Sequence, residues 1–178
     1  VIITITMEPS RHKFQTELQQ AFRFYLKVDD LYAAYIVNVS RPEYTVSTQD
    51  YKLLNYYFNH PTEIKWNPIS FTIREIFSKD SPNSVGKVLM NKLTRSAYDY
   101  PNDINTNLLK DLSKSALIES LGSVTIQMLD PDGEIYEEWK LHGAFITSVK
   151  FSQLDYGSDA LTDINVNLSY DWAELEYK

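Results

Sequence analysis

The feature that most constrains the fold is the run TDINVNLSYDW, residues 162–172, in which apolar and polar side chains alternate. One face would carry Ile164, Val166, Leu168, Tyr170 and Trp172, and the other Asp163, Asn165, Asn167, Ser169 and Asp171. A period of two is typical of a β-strand with one buried face. After Trp172 the apolar phase slips by one residue, which indicates a bulge or a passage into a new environment.

The same alternation recurs earlier in the chain. In FRFYLKV, residues 22–28, every second side chain is apolar. Asp29 and Asp30 suit a tight turn, so LYAAYIVNV, residues 31–39, is predicted to be the partner strand of a hairpin. This second run is apolar on both faces, so it should be covered on both sides by this chain or by another copy of it.

The middle of the chain is less clear. Residues 47–61 begin with Ser47 and Asp50, which resemble a helix capping box, yet their tyrosine and phenylalanine content favours a strand. Residues 62–73 end in an alternating apolar set and are predicted to form a strand. Pro68 would mark its edge or its start, because proline cannot donate to a sheet ladder.

Residues 81–122 change character, with apolar spacings of three and four. They are predicted to form two helices joined around Pro101, with Gly122 as a C-terminal stop. The apolar side of this segment would consist of Leu108, Leu109, Leu112, Ala116, Leu117 and Leu121.

The β pattern returns after residue 122. SVTIQML, residues 123–129, alternates, and DPDG, residues 130–133, has the proline and glycine positions of a hairpin turn. In the following run the apolar face is interrupted only by Glu137. Gly143 then separates two apolar runs and indicates a bend or a close backbone approach.

Composition places the chain among globular proteins. It has 178 residues, enough for one domain spanning 1–178, with residues 81–122 as a helical insertion. The net charge of −7 disfavours a free-standing nucleic-acid binder and an anionic membrane surface as partners. The absence of cysteine fits cytosolic synthesis, and VIITITM, residues 1–7, is too short for a signal-peptide core or a membrane span.

No residue pattern indicates catalysis, a cofactor or a metal. His12, His60 and His142 lack a second ligand at metal-binding spacing. DPDGE lacks the glycine and the distal glutamate of a calcium loop. Acid pairs such as Glu137 with Glu138 are better explained as solvated or intersubunit charges than as a glycosidase pair. The expected protein is not an enzyme.

Residues 139–177 resemble the tail tube proteins of contractile-tailed bacteriophages. The resemblance rests on a W-x-L-x-G-x-F-x-x-x-V stretch, a Leu-Asp-Tyr turn and a long strand ending near Tyr-Asp, here Trp139, Leu141, Gly143, Phe145, Val149, Leu154, Asp155, Tyr156, Tyr170, Asp171 and Trp172. Residues 53–73 resemble a strand, a loop and a tryptophan-bearing strand of that family, which favours a strand for the ambiguous segment. Residues 22–40 resemble its first hairpin.

The resemblance implies a mainly β tail-tube fold, a β-sandwich or β-barrel with a flanking helix. Strands of six subunits would join into a continuous inner β-barrel, and the hexameric rings would stack into a tube inside a contractile sheath. The partners implied are further copies of the chain, the sheath protein and a baseplate tube-initiator. A tape-measure protein and DNA would pass through the lumen without specific binding. The location implied is the virion, assembled in the host cytoplasm.

Two residue hypotheses follow. The polar face of residues 163–171 carries no lysine or arginine, which fits a water-lined lumen as well as it fits an outer solvated face. Ala34 and Ile36 are candidate subunit or ring contacts. Alternatives for the whole chain are a baseplate tube-initiator, a tube subunit of a type VI secretion or extracellular injection system, and a monomeric β-sandwich binding module.

Overall fold

A computed structural model describes residues 23–29, 36–75, 84–96, 112–157 and 159–178. The described residues form, in chain order, β1 (Phe24–Val28), β2 (Ile36–Val39), β3 (Glu43–Leu53), β4 (Tyr56–Asn67), β5 (Ile69–Arg74), α1 (Val85–Arg95), α2 (Lys114–Leu121), β6 (Val124–Leu129), β7 (Ile135–His142), β8 (Phe145–Phe151), β9 (Asp163–Ser169) and β10 (Trp172–Tyr177).

Two four-stranded antiparallel sheets carry the fold. Sheet A has the strand order β1-β6-β7-β10, and sheet B has the order β2-β5-β9-β8. The chain passes from sheet A to sheet B between β7 and β8, and returns to sheet A between β9 and β10. The corner predicted at Gly143 and the change of environment predicted near Trp172 are both confirmed.

The core lies between the two sheets. Each sheet contributes its alternating apolar face, so Val28, Val124 and Leu141 meet side by side in sheet A, and Phe71 and Val166 do so in sheet B. In β9 the predicted apolar residues Ile164, Val166 and Leu168 are buried. Burial of apolar side chains of this size contributes roughly 1.5–3 kcal/mol each, so the two faces hold the sheets together.

The two helices close one side of this core. Ser84 caps α1 and Ser113 caps α2 through their side-chain oxygens, and Gly122 ends α2 as predicted. Leu89 and Leu121 join the core between the sheets. Lys92 is buried as well, and its ammonium donates to the carbonyl oxygens of Ser120 and Leu121 at 3.2 and 3.1 Å. These bonds satisfy carbonyl groups left free at the end of α2 and tie the helices together.

Several sequence predictions need correction or lie outside the described residues. The hairpin of residues 22–28 with 31–39 is wrong, because β1 pairs with β6 in sheet A whereas β2 pairs with β5 in sheet B. Leu112 precedes α2 and is exposed, so it does not belong to an apolar helix face. Leu108, Leu109, Pro101 and Ala34 lie outside the described residues.

Candidate functional site: the assembly surfaces

The ambiguous segment 47–61 is β-structure within a long two-stranded hairpin. β3 pairs with β4 from Glu43↔Asn67 to Leu53↔Tyr56. The register continues that of sheet B, since the pairs Val39↔Phe71 and Glu43↔Asn67 are four residues apart on both strands. We call the β3–β4 part of this hairpin the arm. Its 11 paired residues in β3 extend about 35 Å, since a strand rises about 3.3 Å per residue.

The outer half of the arm exposes apolar side chains. Leu53 pairs with Tyr56, and Tyr51 pairs with Phe58, so all four share one face. Their exposed fractions lie between 49% and 70%. We call these four residues the arm patch. A two-stranded hairpin is at best marginally stable alone in water, and nearly every residue of this one is exposed. The outer half of the arm therefore lacks a packing partner among the described residues.

The arm patch faces away from the contacts that the arm makes with its own chain. Near the base, Tyr44 packs on Trp66 with ring centroids 5.4 Å apart, and Trp66 packs on the buried Tyr170 at 5.9 Å. Alternate residues of a strand point to opposite faces, so Tyr44 lies on the face of β3 opposite to Tyr51. At its base, the arm contacts the sandwich through the face that carries Tyr44 and Trp66. At its outer half, the opposite face, which carries the arm patch, is not covered by the described residues.

The arm ends in an unusual turn. Leu54 has φ +56° and its side chain is 82% exposed. In a two-residue hairpin loop a positive φ at the first position is normally supplied by glycine. A left-handed conformation costs an L-residue about 1–2 kcal/mol, and this exposed side chain gains little from its own chain in return. The tip thus carries a leucine at the expense of local stability.

The base of the arm is fixed by a buried carboxylate. Glu137, the interruption noted in the β7 pattern, is 4% exposed. It accepts hydrogen bonds from Arg41 Nη2 at 2.7 Å, Trp139 Nε1 at 2.7 Å and the Tyr136 hydroxyl at 3.1 Å. Burial and this hydrogen bond raise the pKa of Tyr136. Arg41 lies in the link between β2 and β3, so the ion pair connects the arm to sheet A.

The predicted lumen residues lie on two different parts of the molecule. Asp163, Asn165, Asn167 and Ser169 line the face of sheet B that points away from the core, with Asn165 and Asn167 exposed. Thr72 donates to Asn165 at 2.7 Å, and Asn167 donates to Ser148 at 2.8 Å. The face is a continuous surface of hydroxyl and amide groups.

Neighbouring strands add positive charge to that polar face, which β9 alone did not predict. Arg74 pairs with Asp163 at 3.1 Å, and Lys150 lies directly beside Asn165 in the register of β8 with β9. Of the three charged side chains just named, two are positive and one is negative. The face is therefore polar and close to neutral rather than strongly acidic.

Asp171 lies apart from the other four candidates. It follows β9 at the second corner between the sheets, where its backbone N–H donates to His142 O at 2.9 Å and its carboxylate pairs with Lys114 at 2.5 Å. It also lies against Gly143, which has φ +66°; a Cβ added there would meet Asp171 Cγ at 2.9 Å and Oδ2 closer still. The two corners pack directly on each other.

Trp172 departs from the predicted pattern. It is 47% exposed and stacks on the imidazole of His142, with ring centroids 3.7 Å apart and planes 9° from parallel. In β9 the even-numbered residues face the core, but Trp172 belongs to β10 in the other sheet, where Ala173 is the buried residue. The change of sheet explains the phase slip seen in the sequence.

The outer face of sheet A is an array of paired charges. Glu138 is 7% exposed and bonds Lys178 at 2.5 Å and Gln127 at 3.0 Å. The hydrogen bond from Lys178, followed by that from Gln127, lowers the pKa of Glu138. Lys140 pairs with Glu176 at 2.7 Å, and this bond raises the lysine's pKa. Such cross-strand pairs stabilise the sheet and leave no free reactive group among them.

The described ranges show neither a metal-binding cluster nor a membrane-spanning helix. They contain no group of three histidine, aspartate or glutamate side chains placed to hold a metal ion. None of the described helices has the length and apolar content to cross a membrane.

Sequence reasoning missed the arm as a surface. Its length was hidden because the apolar residues of 51–58 are nearly continuous and lack the Asn-Gly or Asp-Gly turn that marks most tight hairpins. The available signal was Asn55 between two runs rich in tyrosine. Ile36, a predicted contact residue, lies in β2 at the edge of sheet B and is partly buried against the core.

Comparison with known proteins gives a fold but no close relative. No family model matches the sequence, and no curated protein matches it. Among solved structures, a chain of the extended sheath–tube complex of the extracellular contractile injection system PVC has a TM-score of 0.63 and 17% identity, covering 96% of this chain and 100% of that one.

Chains from two assemblies of the anti-feeding prophage have a similar fold. A chain of its tube-terminating cap has a TM-score of 0.63 and 16% identity over 91% of this chain and 93% of that one. A chain of its baseplate has a TM-score of 0.62 and 11% identity over 90% and 95%. The fold matches that of tube proteins of contractile injection systems, mainly β with two helices among the described residues. The predicted mainly β tube fold is confirmed, whereas the joining of six subunits into one barrel stays a prediction.

Proposed function

We propose that this protein is a structural tube subunit that assembles into stacked hexameric rings inside a contractile apparatus. The observation that carries the proposal is the arm patch, an exposed apolar surface that the described parts of the chain's own sandwich leave uncovered. Exposed apolar patches mark association sites in soluble proteins. The similarity in fold to a chain of a sheath–tube complex supports a structural role rather than an enzymatic one.

Sheet B supplies the surface for ring closure. Its edge strands, β2 and β8, each have one side without a partner strand among the described residues. Pairing of β8 of one subunit with β2 of the next would remove both edges and join six sheets into one inner barrel. Ala34 and Ile36 would then lie at or next to this junction. Charged substitution at Ala34 or Ile36 that leaves polymerisation intact would count against that assignment.

The outer face of sheet B would line the lumen. Asp163, Asn165, Asn167 and Ser169 present neutral and weakly charged polar groups there, with Asp171 near one end of the same strand. A hydrated surface on which Arg74 is paired with Asp163 has no strong positive field, and Lys150 is the cation that it leaves for passing DNA phosphates among the residues named here. The net charge of −7, which becomes −42 for six copies, favours passage without adhesion.

Among the contractile systems that use such a tube, we assign this subunit to the tail of a bacteriophage. In this role the subunit assembles in the host cytoplasm and becomes part of the virion, where the sheath surrounds the tube, a baseplate initiator starts it, and the tape-measure protein and DNA pass through it. The alternatives are a tube subunit or tube-initiator of an injection system that carries no genome. Genes for a capsid and a terminase beside this one favour the phage role, and their absence beside sheath genes favours the alternative.

The assembly itself is tested by negative-stain microscopy and sedimentation velocity of the purified protein over a range of concentrations. Rings or tubes support the proposal, whereas a dispersed monomer under all conditions, including with a tube-initiator, favours a β-sandwich binding module. Phe58→Lys, in the arm patch, should abolish assembly. Asn59→Lys, next to it on the opposite face of the arm, is the matched control and should assemble.

The lumen assignment is tested on the assembled tube. The chain has no cysteine, so Asn167→Cys provides a single thiol. In the tube a small maleimide should label it and a large polymer-linked maleimide should not, while Lys27→Cys on the outer face of sheet A should react with both. Equal labelling of Asn167→Cys by both reagents would place this face outside the lumen.

A further inference from the structure

The edge strand β2 of sheet B contains one residue more than its pairing with β5 uses. Val37 lies between the pairs Ile36↔Ile73 and Asn38↔Thr72 and opposes no residue of its own in β5. Its side chain is 42% exposed. Such an extra residue is a β-bulge, which disrupts the ladder locally and increases the twist of the strand.

The other edge strand of sheet B, β8, contains a second bulge. Thr147 is the extra residue here, between the pairs Ile146↔Leu168 and Ser148↔Asn167. Its hydroxyl donates to Asn167 O at 3.1 Å, which holds the bulge against β9. The central strands β5 and β9 pair without a register shift. Within the described part of sheet B, both irregularities therefore lie in the edge strands.

The edges of sheet A differ from those of sheet B. β1 pairs with β6, and β10 with β7, without a register shift. These edge strands carry charged side chains instead, Lys27 in β1 and Glu174 and Glu176 in β10. β2 has no charged residue, and β8 has one, Lys150. Charges and bulges both keep an exposed strand edge from pairing with another chain, and sheet B relies mainly on its bulges.

The two edges of sheet B still fit each other in direction. Its strands are antiparallel throughout, so β2 and β8 run in opposite directions, and β8 of one subunit beside β2 of the next would continue the antiparallel order. The bulges lie near opposite ends of the sheet, because Val37 is next to the level of Ile73, and Thr147 is next to that of Leu168, which pairs with Ile69. At each end of the sheet, one of the two edges is irregular.

We propose that the two bulges weaken the lateral pairing of β8 with β2, so that free subunits do not close into rings by themselves. Two subunits that meet in solution gain too little from an interrupted ladder to stay together. On the end of an existing tube, neighbouring subunits are held side by side, and their high effective concentration makes the same weak pairing sufficient. Growth is thereby confined to the tube end. This inference rests on the proposed tube function and adds the control of its lateral interface.

Single-residue deletions test the bulges, because each one restores a regular strand. Without Val37, the residues on either side of it become consecutive and keep both their partners and their faces, and the same holds for Thr147. Each shortened chain should form rings, without any initiator, at a protein concentration at least tenfold lower than the natural chain requires. The measurements are sedimentation velocity and negative-stain microscopy over a range of concentrations.

The control is a deletion of the same size outside the strands. Gln153 follows β8 in an exposed loop, so its deletion shortens the chain and leaves both bulges in place. This variant should need the same concentration as the natural chain, within about twofold. Circular dichroism and a cooperative urea transition show whether each variant is folded.

A second measurement uses sheared tubes of the natural chain as seeds. Seeds should lower the concentration at which the natural chain assembles by at least tenfold, because they supply the template that the bulges make necessary. They should change that concentration little for the chains without Val37 or without Thr147.

The outcomes separate the control of assembly from the tube function. A tenfold lower threshold in either folded bulge deletion, with no such change on deletion of Gln153, supports the proposal. An unchanged or higher threshold while the natural chain forms tubes overturns it and leaves the tube function intact. Failure of both bulge deletions to fold also overturns it, since the bulges would then serve the single chain. Monomers in every variant and in the natural chain, even with a tube-initiator, overturn both.

Discussion

The close packing of the two corners between the sheets gives a quantitative prediction for Gly143→Ala. Gly143 has φ +66°, and a Cβ there would lie 2.9 Å from Asp171 Cγ. The Asp171 backbone is held by the bond from its N–H to His142 O at 2.9 Å, so relief must come from rotation of its side chain, which breaks the pair of its carboxylate with Lys114. The substitution thus adds a steric conflict to a backbone conformation that alanine disfavours.

The two contributions have separate magnitudes. The left-handed conformation costs alanine about 1–2 kcal/mol, from which about 0.5–1 kcal/mol is recovered because alanine has less freedom than glycine in the unfolded chain. Overpacking against Asp171 adds about 1–3 kcal/mol. Gly143→Ala should therefore lower the free energy of unfolding by about 1.5–4 kcal/mol, equivalent to roughly 3–15 °C in melting temperature for a chain of this size.

Gly133→Ala is the matched control, since Gly133 has φ +87° and no atom within 4 Å of the added Cβ. It should show only the backbone term, about 0.5–1 kcal/mol. The assay is urea unfolding followed by circular dichroism, at a concentration where the protein is dispersed.

A second control removes the conflict itself. Asp171→Ala leaves a Cβ at an acceptable 3.4 Å from the new methyl group, so the double variant should lose only as much as Gly133→Ala plus the small contribution of the exposed Lys114 pair. If Gly143→Ala and Gly133→Ala cost the same, or if Asp171→Ala gives no rescue, the corner contact does not act as argued.

Three further predictions concern the arm and sheet A. Leu54→Gly should leave the free energy of unfolding unchanged or raise it by up to about 1 kcal/mol, as measured by urea unfolding; reduced stability would contradict the strain at the tip. Arg41→Ala should cost about 1–3 kcal/mol by leaving the Glu137 carboxylate with fewer donors, and should speed protease cleavage within the arm; unchanged cleavage would mean that the ion pair does not fix the arm. Because the pKa of Glu138 is lowered, the ionised carboxylate stabilises the folded protein above the ordinary carboxyl pKa of about 4.3, and this stabilisation is lost as the pH falls through the folded-state pKa. The natural protein should therefore have a higher urea midpoint than Glu138→Gln at neutral pH, and this difference should shrink as the pH falls to about 3.

Strands whose burial follows from local alternation were predictable. The run 162–172 gave the buried face of β9, and the DPDG turn between β6 and β7 is present with Gly133 at positive φ. The helix stop at Gly122 also follows from local chemistry. In each case the residues that determine the structure lie within one element.

Pairing between distant residues was not predictable from those patterns. β1 and β2 are close in sequence and both extended, which favoured a hairpin, but their partners β6 and β5 are set by the way the two sheets exchange strands. The prediction that Trp172 shares the buried face of β9 was wrong for the same reason, because the environment of Trp172 depends on the sheet that β10 joins. In the sequence, Glu137 only interrupted the apolar face of its strand, and its ion pair could not be predicted because Arg41 is distant in the chain.

The candidate surfaces divide in the same manner. The polar residues of β9 identified a solvated face. Arg74 and Lys150 also lie on that face, but they belong to β5 and β8, so the sequence of β9 could not predict them. The arm patch and Leu54 look unfavourable in a single copy of the chain, the former by its exposed apolar area and the latter by its positive φ. Rules based on the stability of a single chain interpret such residues as irregularities.

The strand pairing also sets an order of events during folding. The arm joins neighbours in sequence, so it can form within microseconds, as short hairpins do. β1 must instead find β6 about a hundred residues later, and pairings of that separation form slowly. During this delay the apolar residues of the arm are exposed without the sandwich that holds its base, whether or not the hairpin is formed. Newly made chains would then be most prone to misassociate through the arm, and a cell producing many copies gains from any factor that shields it until the sheets have closed.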